Sequence, residues 1–312
     1  MKRKPEVLAA LREQAIIQSA ESSNRIEGVT VAPGRLKAVV LGAAKPRDRS
    51  EEELAGYRRA LDWIFRLKGS PVITPDVIRK LHALAQGGHS GDAGQWKRQD
   101  NEIVELLPDG RRRIRFRPTP ARETSKAIAR LCDAYRTVSD EEHIPPLLTI
   151  ATFVFDFLCV HPFRDGNGRV SRLVTTLLLK SHGFEVIRYV SLERLVEERK
   201  DEYYGVLETC SDGWHESRNG IVPWWNFFLA VLRSGYREVE RQVDSSQSRP
   251  AKSELVRRVI MEQVGQFTLG DLALQFPTAS PQLIKKVLAQ LKSEGKVRLT
   301  GKGRGAMWEI TN

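Results

Sequence analysis

The segment that decides the fold of this 312-residue chain is His161-Pro162-Phe163-Arg164-Asp165-Gly166-Asn167-Gly168-Arg169-Val170-Ser171-Arg172. It separates two apolar stretches. Apolar residues recur at helical spacing from Leu148 to Cys159 before it, and from Leu173 to Leu178 after it. The pattern predicts a loop between two buried helices.

The residue types in this loop suit a polyphosphate ligand. Gly166 and Gly168 allow the backbone to turn its N–H groups inward at the N-terminus of the second helix, which forms an anion-binding nest. Arg169 and Arg172 are three residues apart, so both side chains can reach the same site. The loop therefore predicts a phosphate cradle with a charge clamp.

Two further side chains of the loop carry reactive chemistry. Asp165 can hold Mg²⁺ against phosphate oxygens, and His161 can take a proton from an attacking hydroxyl. A Gly-Asn-Gly turn or a helix-ending histidine is usually structural when it occurs alone, but here four roles follow one another in order. His161 and Asp165 could instead be transition-metal ligands, although no third His or Cys lies at ligand spacing. The combination favours phosphoryl or nucleotidyl transfer.

The same residues match the signature His-Pro-Phe-x-Asp/Glu-Gly-Asn-Gly-Arg-x-x-Arg at every defined position, and the chain resembles the Fic family (filamentation induced by cyclic AMP). The resemblance implies transfer of AMP from ATP to a Ser, Thr or Tyr hydroxyl of a protein target. It implies His161 as general base, Asp165 as the Mg²⁺ ligand, and Arg169 and Arg172 on the outer phosphates. It also implies that Asn167 and the backbone of Gly166 and Gly168 form the α-phosphate cradle and that Phe163 anchors the loop in the core. Contacts to adenine or ribose are expected from Tyr203, Tyr204 and Asn226.

An amphipathic helix is predicted from residue 5 to about residue 24, and Gly28 is a plausible C-cap. Glu27 then lies at the unfavourable end of the helix dipole and needs a cation, unless it is a solvated surface residue. Ser23 to Gly28 resembles the Fic inhibitory pattern Ser/Thr-x-x-x-Glu-Gly/Asn. The resemblance implies that residues 5–28 form an inhibitory helix in which Glu27 pairs with Arg172 and holds ATP in an unproductive pose.

A β-hairpin is predicted over residues 101–118, with a turn at Pro108-Asp109-Gly110. In its second strand, Ile114 and Phe116 alternate with arginines. The resemblance implies that this hairpin is a flap that holds the protein target in extended form. The arginine face indicates an acidic target or phosphate, or simply a solvated basic strand.

The chain divides into four predicted parts: an N-terminal helical region (1–100), a catalytic core (101–243), a Ser-rich linker (244–250) and a small domain (251–312). The small domain, with three helices and a glycine-rich hairpin, resembles a winged helix-turn-helix. Five of its basic residues could contact DNA phosphates, although such domains also serve in docking or dimerisation: Lys285, Lys286, Lys292, Lys302 and Arg304. The predicted fold is mainly α, a Fic-type helical core with a hairpin flap and a winged helix.

Composition limits the remaining choices. The net charge of +11 and the pI of about 9.7 fit an acidic or nucleic-acid partner, but also an ATP site. The cysteines Cys132, Cys159 and Cys210 lack disulfide or metal spacing, so we expect a reduced, cytoplasmic protein. No apolar run is long enough to span a bilayer, and the start of the chain does not resemble a signal peptide. Family resemblance allows a homodimer.

Three other functions stay open from the sequence. A Fic-type enzyme could transfer a different phosphate-linked group, it could mainly remove AMP, or the chain could be a DNA-binding regulator that senses nucleotide. Intact Arg169 and Arg172 favour AMP transfer, and the intact His161 argues against a pure sensor.

Overall fold

The computed structural model describes residues 5–87, 92–106, 110–141, 143–247, 252–261, 263, 266–275, 279–300 and 306–311. Within them, the chain forms two compact units, Met1–Gln242 and Val243–Asn312. The prediction of a mainly helical protein is confirmed. Two pairs of short strands interrupt the helices, and each pair forms its own antiparallel sheet.

The elements of the first unit follow in chain order: α1 (Pro5–Ile26), α2 (Pro33–Val40), α3 (Arg49–Arg66), α4 (Pro75–Gln86), β1 (Ile103–Leu106), β2 (Arg112–Phe116), α5 (Ala121–Ser139), α6 (Pro146–Val160), α7 (Asn167–Ser181), α8 (Leu192–Glu197), α9 (Lys200–Ser211) and α10 (Val222–Gln247). The core surrounds α6 and α7, which pack on each other, on α5 and on α4. Because α6 is apolar on nearly all sides, it is buried along most of its length.

Local interactions define the start of α4 and its close packing on α3. Thr74 accepts a hydrogen bond from the Val77 N–H and caps α4, whose first residue is proline. At Gly56, α3 and α4 come so close that a Cβ atom would lie 2.6 Å from the carbonyl oxygen of Ala85. The two helices also pack on α7, the helix that begins in the loop 161–172.

The hairpin forms where it was predicted, with strands β1 and β2 paired from Ile103–Phe116 to Leu106–Arg112 and a bulge after Ile103. Pro108 and Asp109 of the predicted turn lie outside the described residues. The predicted alternation holds only in part. Phe116 is half-buried against the core, whereas Ile114 is 41% exposed.

The second unit contains α11 (Lys252–Met261), α12 (Leu269–Gln275) and α13 (Pro281–Ser293), followed by strands β3 (Val297–Thr300) and β4 (Met307–Ile310). Its own apolar cluster joins the three helices to β3. Helix α10 continues through Gln247, into the stretch 244–250 that was predicted as a linker, and the two units divide between Gln242 and Val243. Lys302 and Arg304 fall outside the described residues.

None of the helices within the described ranges has both the length and the apolar character required to cross a membrane.

Candidate active site

His161 ends α6 in a left-handed conformation, with φ of 49°. Such a conformation costs a non-glycine residue about 1–3 kcal/mol, and its neighbours must hold it. The ring atom Nδ1 lies 3.2 Å from the Leu158 carbonyl oxygen, which can only accept a hydrogen bond. Nδ1 therefore carries the proton, and Nε2 is left with a free lone pair. The ring is the neutral, proton-accepting form that a general base needs.

Burial is the main reason that the pKa of His161 is lowered to about 4. The nearby Lys97 cation lowers it further, whereas the Leu158 carbonyl and the carboxylates of Glu27 and Asp165 oppose the shift. At neutral pH the imidazole is therefore uncharged, with its single proton on Nδ1.

The loop after His161 is closed by one side chain. The Oδ1 atom of Asn167 accepts from the Phe163 N–H at 2.9 Å, and its Nδ2 donates to the Phe163 carbonyl at 2.8 Å. Asn167 was expected to help cradle the α-phosphate. Both polar atoms of its side chain are hydrogen-bonded inside the loop, so the side chain shapes the loop that presents the predicted cradle.

Phe163 is fully buried and anchors the loop, as the resemblance implied. Its ring stacks on His82 of α4, with 3.8 Å between the ring centroids. His82 accepts from the Gly94 N–H through Nδ1, so its Nε2 carries the proton and donates to the Asp165 carbonyl at 3.1 Å. Burial lowers the pKa of His82 to about 4. Nothing in the sequence links His82 to the loop, since 83 residues separate it from Asp165.

Asp165 and Arg169 belong to a cluster of charges with α3. Arg169 is 2% exposed, and its Nη1 lies 2.8 Å from Oε2 of the equally buried Glu53. Arg49 donates to Glu53 at 2.8 Å and to Asp165 at 2.9 Å. The predicted Mg²⁺ ligand is thus joined to an arginine that sequence reasoning did not select. No group of three or more metal-ligating side chains occurs in the part of the chain that the structure describes.

Arg172 and Glu27 form the pair that the resemblance implied. Arg172 donates to Glu27 Oε1 at 2.7 Å, to the Ser23 hydroxyl at 2.8 Å and to the Ser23 carbonyl at 2.8 Å. Burial by itself would lower the pKa of Arg172, but the Glu27 carboxylate together with Tyr203 and Tyr57 outweighs it, and the pKa is raised. Ser23 is fully buried, and Gly28 follows the helix in a left-handed turn with φ of 80°.

The Glu27 carboxylate lies directly on the glycine nest. A Cβ atom on Gly168 would be only 2.1 Å from Glu27 Oε1, so the two residues touch. Gly166 caps α7 with φ of 79°, a conformation that glycine adopts without strain. A carboxylate therefore rests where the loop presents its anion-binding backbone.

Buried hydrogen bonds hold α1 in this place. The Glu193 carboxylate of α8 is 4% exposed and accepts from Ser19 of α1 at 2.7 Å, from Tyr57 of α3 at 2.9 Å and from Ser191 at 3.2 Å. At the end of the helix, Arg25 pairs with Glu197 at 2.7 Å.

A cleft of about 470 Å³ adjoins the contact between Glu27 and Gly168. It is lined by Glu27, His161, Gly168, Tyr203 and Tyr204, together with parts of β1, β2 and α9. The Tyr204 hydroxyl lies 3.4 Å from the Ile26 carbonyl. Of the three residues expected near adenine or ribose, the structure brings both tyrosines to the cleft. Asn226 is exposed on α10 and is not among the described residues that line it.

The arginines of the hairpin are paired within the chain. Arg113 donates to Glu105 and to Glu208, and Arg115 donates to Glu208 at 3.1 Å and to the Tyr204 carbonyl at 2.7 Å. Because Glu208 lies on α9, these ion pairs connect β2 to α9, and both elements line the cleft. These side chains stabilise the hairpin.

A second groove, of about 910 Å³, runs along the other side of the loop. Its lining includes Arg49, Lys97, Asn101 and Asp165. Lys97 is 5% exposed, and its ammonium group donates to the Val160 carbonyl at 3.2 Å, one residue before His161. Sequence reasoning missed this residue, because a lysine in a polar stretch usually indicates only solvent exposure.

Residues 72–179 match the model of the Fic/DOC family. A Fido domain-containing protein of Dictyostelium discoideum is 32% identical over 107 residues, which cover 34% of this chain and 68% of that protein. The chain belongs to the Fic/DOC family.

Longer matches join the chain to named relatives. The protein adenylyltransferase Fic of Nematostella vectensis is 25% identical over 255 residues, which cover 79% of this chain and 53% of that protein. The protein adenylyltransferase fic-1 of Caenorhabditis elegans is 26% identical over 195 residues, which cover 60% and 35%. The chain thus spans about half of the first relative and about a third of the second.

Solved structures show the same fold. A Fic family protein from Desulfovibrio desulfuricans aligns over 99% of this chain and 88% of its own, with a TM-score of 0.62 at 21% identity. A Fic domain containing signaling protein from Bacteroides thetaiotaomicron aligns over 78% and 92%, with a TM-score of 0.65 at 21% identity.

Proposed function

We propose that this chain is an autoinhibited protein adenylyltransferase, which transfers AMP from ATP to a hydroxyl side chain of a protein target. The observation that carries the proposal is the convergence of His161, the Gly168 nest and the Glu27–Arg172 pair at one end of a single cleft. The names of the relatives, protein adenylyltransferase, agree with it.

The chemistry follows from the free lone pair of His161. Nε2 accepts the proton of the target hydroxyl as its oxygen attacks the α-phosphorus and pyrophosphate leaves. Backbone N–H groups at the start of α7, including that of Gly168, and the positive end of the helix dipole stabilise the charge that develops on the phosphate oxygens. Because bound ATP is negatively charged, it raises the low pKa of His161 and makes the ring a stronger base.

The donor set around Asp165 fits Mg²⁺ that arrives with ATP. One carboxylate together with substrate phosphates is a common way to bind this ion. Asp165 is more than half exposed at the edge of the loop, and Arg49 must release it. When bound, Mg²⁺ would neutralise charge on the phosphates.

Glu27 explains why the enzyme would be inactive by default. Its carboxylate touches Gly168 and occupies Arg172, so a phosphate in the same place would meet a negative charge at contact distance. ATP must displace Glu27 or bind without Arg172. While Glu27 stays in place, Arg172 does not hold the outer phosphates for attack at the α-phosphorus.

The test uses ATP labelled on the α-phosphate in one reaction and on the γ-phosphate in another, with Mg²⁺. The proteins are wild type, Glu27→Gly, and Glu27→Gly with His161→Ala. We expect α-label on protein with Glu27→Gly, at least about tenfold above wild type, and none when His161 is also replaced. Glu21→Gly is the matched control, because it loosens α1 without touching the loop.

Each other outcome has a defined meaning. Equal labelling by wild type and Glu27→Gly would refute the inhibitory role of Glu27, and activation by Glu21→Gly would show that any loosening of α1 suffices. Label from the γ position would mean phosphoryl transfer. No label at all, with loss of AMP from a pre-modified target, would identify an AMP-removing enzyme.

A second candidate function, binding of duplex DNA, rests on α13. This helix contains three lysines and no acidic residue, and Lys285, Lys286 and Lys292 are exposed. Within the described ranges these three form no ion pair, whereas Asp271, Glu294 and Glu309 of the same unit are each hydrogen-bonded inside it. A helix face with unneutralised cations suits DNA phosphates.

Fluorescence anisotropy of a labelled duplex of about 25 base pairs, titrated with the full chain at several salt concentrations, tests this function. Replacing the three α13 lysines with glutamine should reduce the salt-dependence slope by up to about 3. The control replaces three exposed cations of α5 with glutamine (Arg122, Lys126 and Arg130). Equal effects of both triple variants, or no binding by wild type, would refute DNA recognition by α13.

A further inference from the structure

Lys97 is a buried cation that forms no ion pair with a carboxylate among the residues that the structure describes. Its ammonium group donates to the side-chain oxygen of Asn101 at 2.8 Å and to the Val160 carbonyl at 3.2 Å. Asp100, three residues further along the chain, is close enough for its charge to favour the ammonium form, but it does not form a salt bridge with Lys97. Burying a charge on neutral oxygens is costly, and such an arrangement commonly marks a functional site.

The segment around Lys97 holds the catalytic loop at several points. The Lys97 N–H donates to the Pro162 carbonyl at 2.9 Å, and Asn101 Nδ2 donates to the Phe163 carbonyl at 3.3 Å. The Trp96 ring lies 5.0 Å from the Phe163 ring, measured between centroids. The Val160 and Pro162 carbonyls lie immediately before and after His161, so Lys97 binds the backbone on both sides of the proposed base.

We propose that Lys97 is a positioning residue for His161: it holds the end of α6 in the left-handed turn that directs the imidazole into the cleft, and its charge sets the pH range in which that ring accepts a proton. The inference rests on the proposed function, but the position and protonation of His161 can be measured without it.

The charges around His161 support this role. Glu27 of α1 and Asp165 of the loop favour the protonated ring, and Lys97 opposes it. Burial lowers the pKa of Lys97 itself from 10.5 to about 8, so the ammonium group keeps its charge at neutral pH. It is placed at the C-terminal end of α6, where the helix carbonyls carry partial negative charge and stabilise a cation.

The experiment uses the full chain in the Glu27→Gly background. Lys97→Met removes the charge but keeps most of the apolar stem, and Lys97→Arg keeps the charge. Lys180→Met is the matched control, because Lys180 also donates to a distant backbone carbonyl, that of Leu67 at 2.9 Å. The readouts are the ring pKa of His161 by NMR, assigned with His161→Ala, and the acid limb of the rate of AMP transfer against pH.

With Lys97→Met we expect a higher ring pKa for His161, an acid limb moved to higher pH by the same amount, and a kcat about tenfold lower with the KM for ATP unchanged. Lys97→Arg should keep the acid limb, and Lys180→Met should change neither property. An unchanged His161 pKa in Lys97→Met would overturn the proposal.

A second variant covers the case in which Lys97→Met does not fold. Asn101→Asp places a carboxylate beside the Lys97 ammonium group, and we expect it also to raise the His161 pKa. An unchanged pKa there would overturn the electrostatic role. If the pKa moves as expected but no variant transfers AMP, the proposed function fails while the positioning role of Lys97 stands.

Discussion

At position 168, only a glycine leaves room for the Glu27 carboxylate to reach Arg172. A Cβ atom there would lie 2.1 Å from Glu27 Oε1 and 3.2 Å from Arg172 Nη1. The same glycine exposes backbone N–H groups to a phosphate. A glycine at this position thus permits both the Glu27–Arg172 contact and the proposed ATP site.

Gly168→Ala should therefore break the Glu27–Arg172 pair without producing an active enzyme. We expect a loss of about 1–3 kcal/mol in unfolding free energy, because the buried guanidinium loses its partner, and no thermal stabilisation by ATP. Thermal melts with and without ATP measure both effects. Gly205→Ala on α9 is the control, since its Cβ meets nothing within 4 Å. ATP stabilisation of Gly168→Ala equal to that of Glu27→Gly would contradict this expectation.

Lys97 also makes the stability of the protein depend on pH in the alkaline range. Its folded pKa, about 8, lies below the ordinary value of 10.5. Between these values the unfolded chain binds the proton more tightly, so the folded state gains stability as pH rises. Relative to Lys97→Met, wild type should gain about 1–2 kcal/mol from pH 8 to pH 10.5, less than the full shift would give because water partly screens the group. Urea denaturation at both pH values measures it, and an equal change in both proteins would count against a buried, proton-losing Lys97.

At the scale of elements, the proposed inhibitory role of α1 depends on the other helices that hold it in place. Glu193 of α8 joins Ser19 of α1 to Tyr57 of α3 through buried hydrogen bonds. The polar contact between Arg25 and Glu197 is partly exposed and contributes little. Besides the contacts of Ser23 and Glu27 with Arg172, the Glu193 carboxylate is therefore a main buried polar attachment of α1.

Ser19→Ala should release α1 in part while leaving Glu27 intact. The lost hydrogen bond to a buried carboxylate costs about 1–3 kcal/mol, and a more loosely held α1 vacates the nest more often. We expect labelling from α-labelled ATP above wild type but below Glu27→Gly. Ser70→Ala is the control, because Ser70 also donates one hydrogen bond, to the Ser181 carbonyl, at an exposed site. Labelling by Ser19→Ala no higher than by Ser70→Ala would show that the Glu193 attachment does not limit release.

The hairpin shows how tertiary contacts modify a sequence pattern. Alternation in residues 111–117 predicts an apolar face and a basic face. In the structure, Arg115 is more buried than Ile114, because Glu208 of α9 and the Tyr204 carbonyl draw its guanidinium toward the cleft wall. Ion pairing with a distant helix overrides the period-two pattern.

At the scale of the whole molecule, the chain contains two compact units, each with its own apolar cluster. Separate cores can unfold separately. We expect two transitions in differential scanning calorimetry of the full chain, and loss of one of them after deletion of residues 252–312. A single transition in the full chain, or an unfolded product after the deletion, would contradict the independence of the first unit.

By itself, the sequence determined the helical class, the loop between α6 and α7, the order of the chemically active residues in that loop and the position of the hairpin. These features depend on local spacing, on glycine conformations and on helix dipoles, which act over a few residues. The pattern from Ser23 to Gly28 could also be recognised in the sequence, because it resembles the inhibitory pattern of the Fic family.

Only the tertiary structure decided which distant residues complete the site. It joined His82, Glu53, Arg49 and Lys97 to the loop, and it brought Tyr203 and Tyr204 to the cleft while leaving Asn226 exposed. It also placed the Glu27 carboxylate against Gly168. Glu27 and its partner Arg172 are 145 residues apart along the chain. The physical reason is that buried charges and backbone groups must find partners in space, and packing of the helices, rather than sequence distance, determines which partners are near.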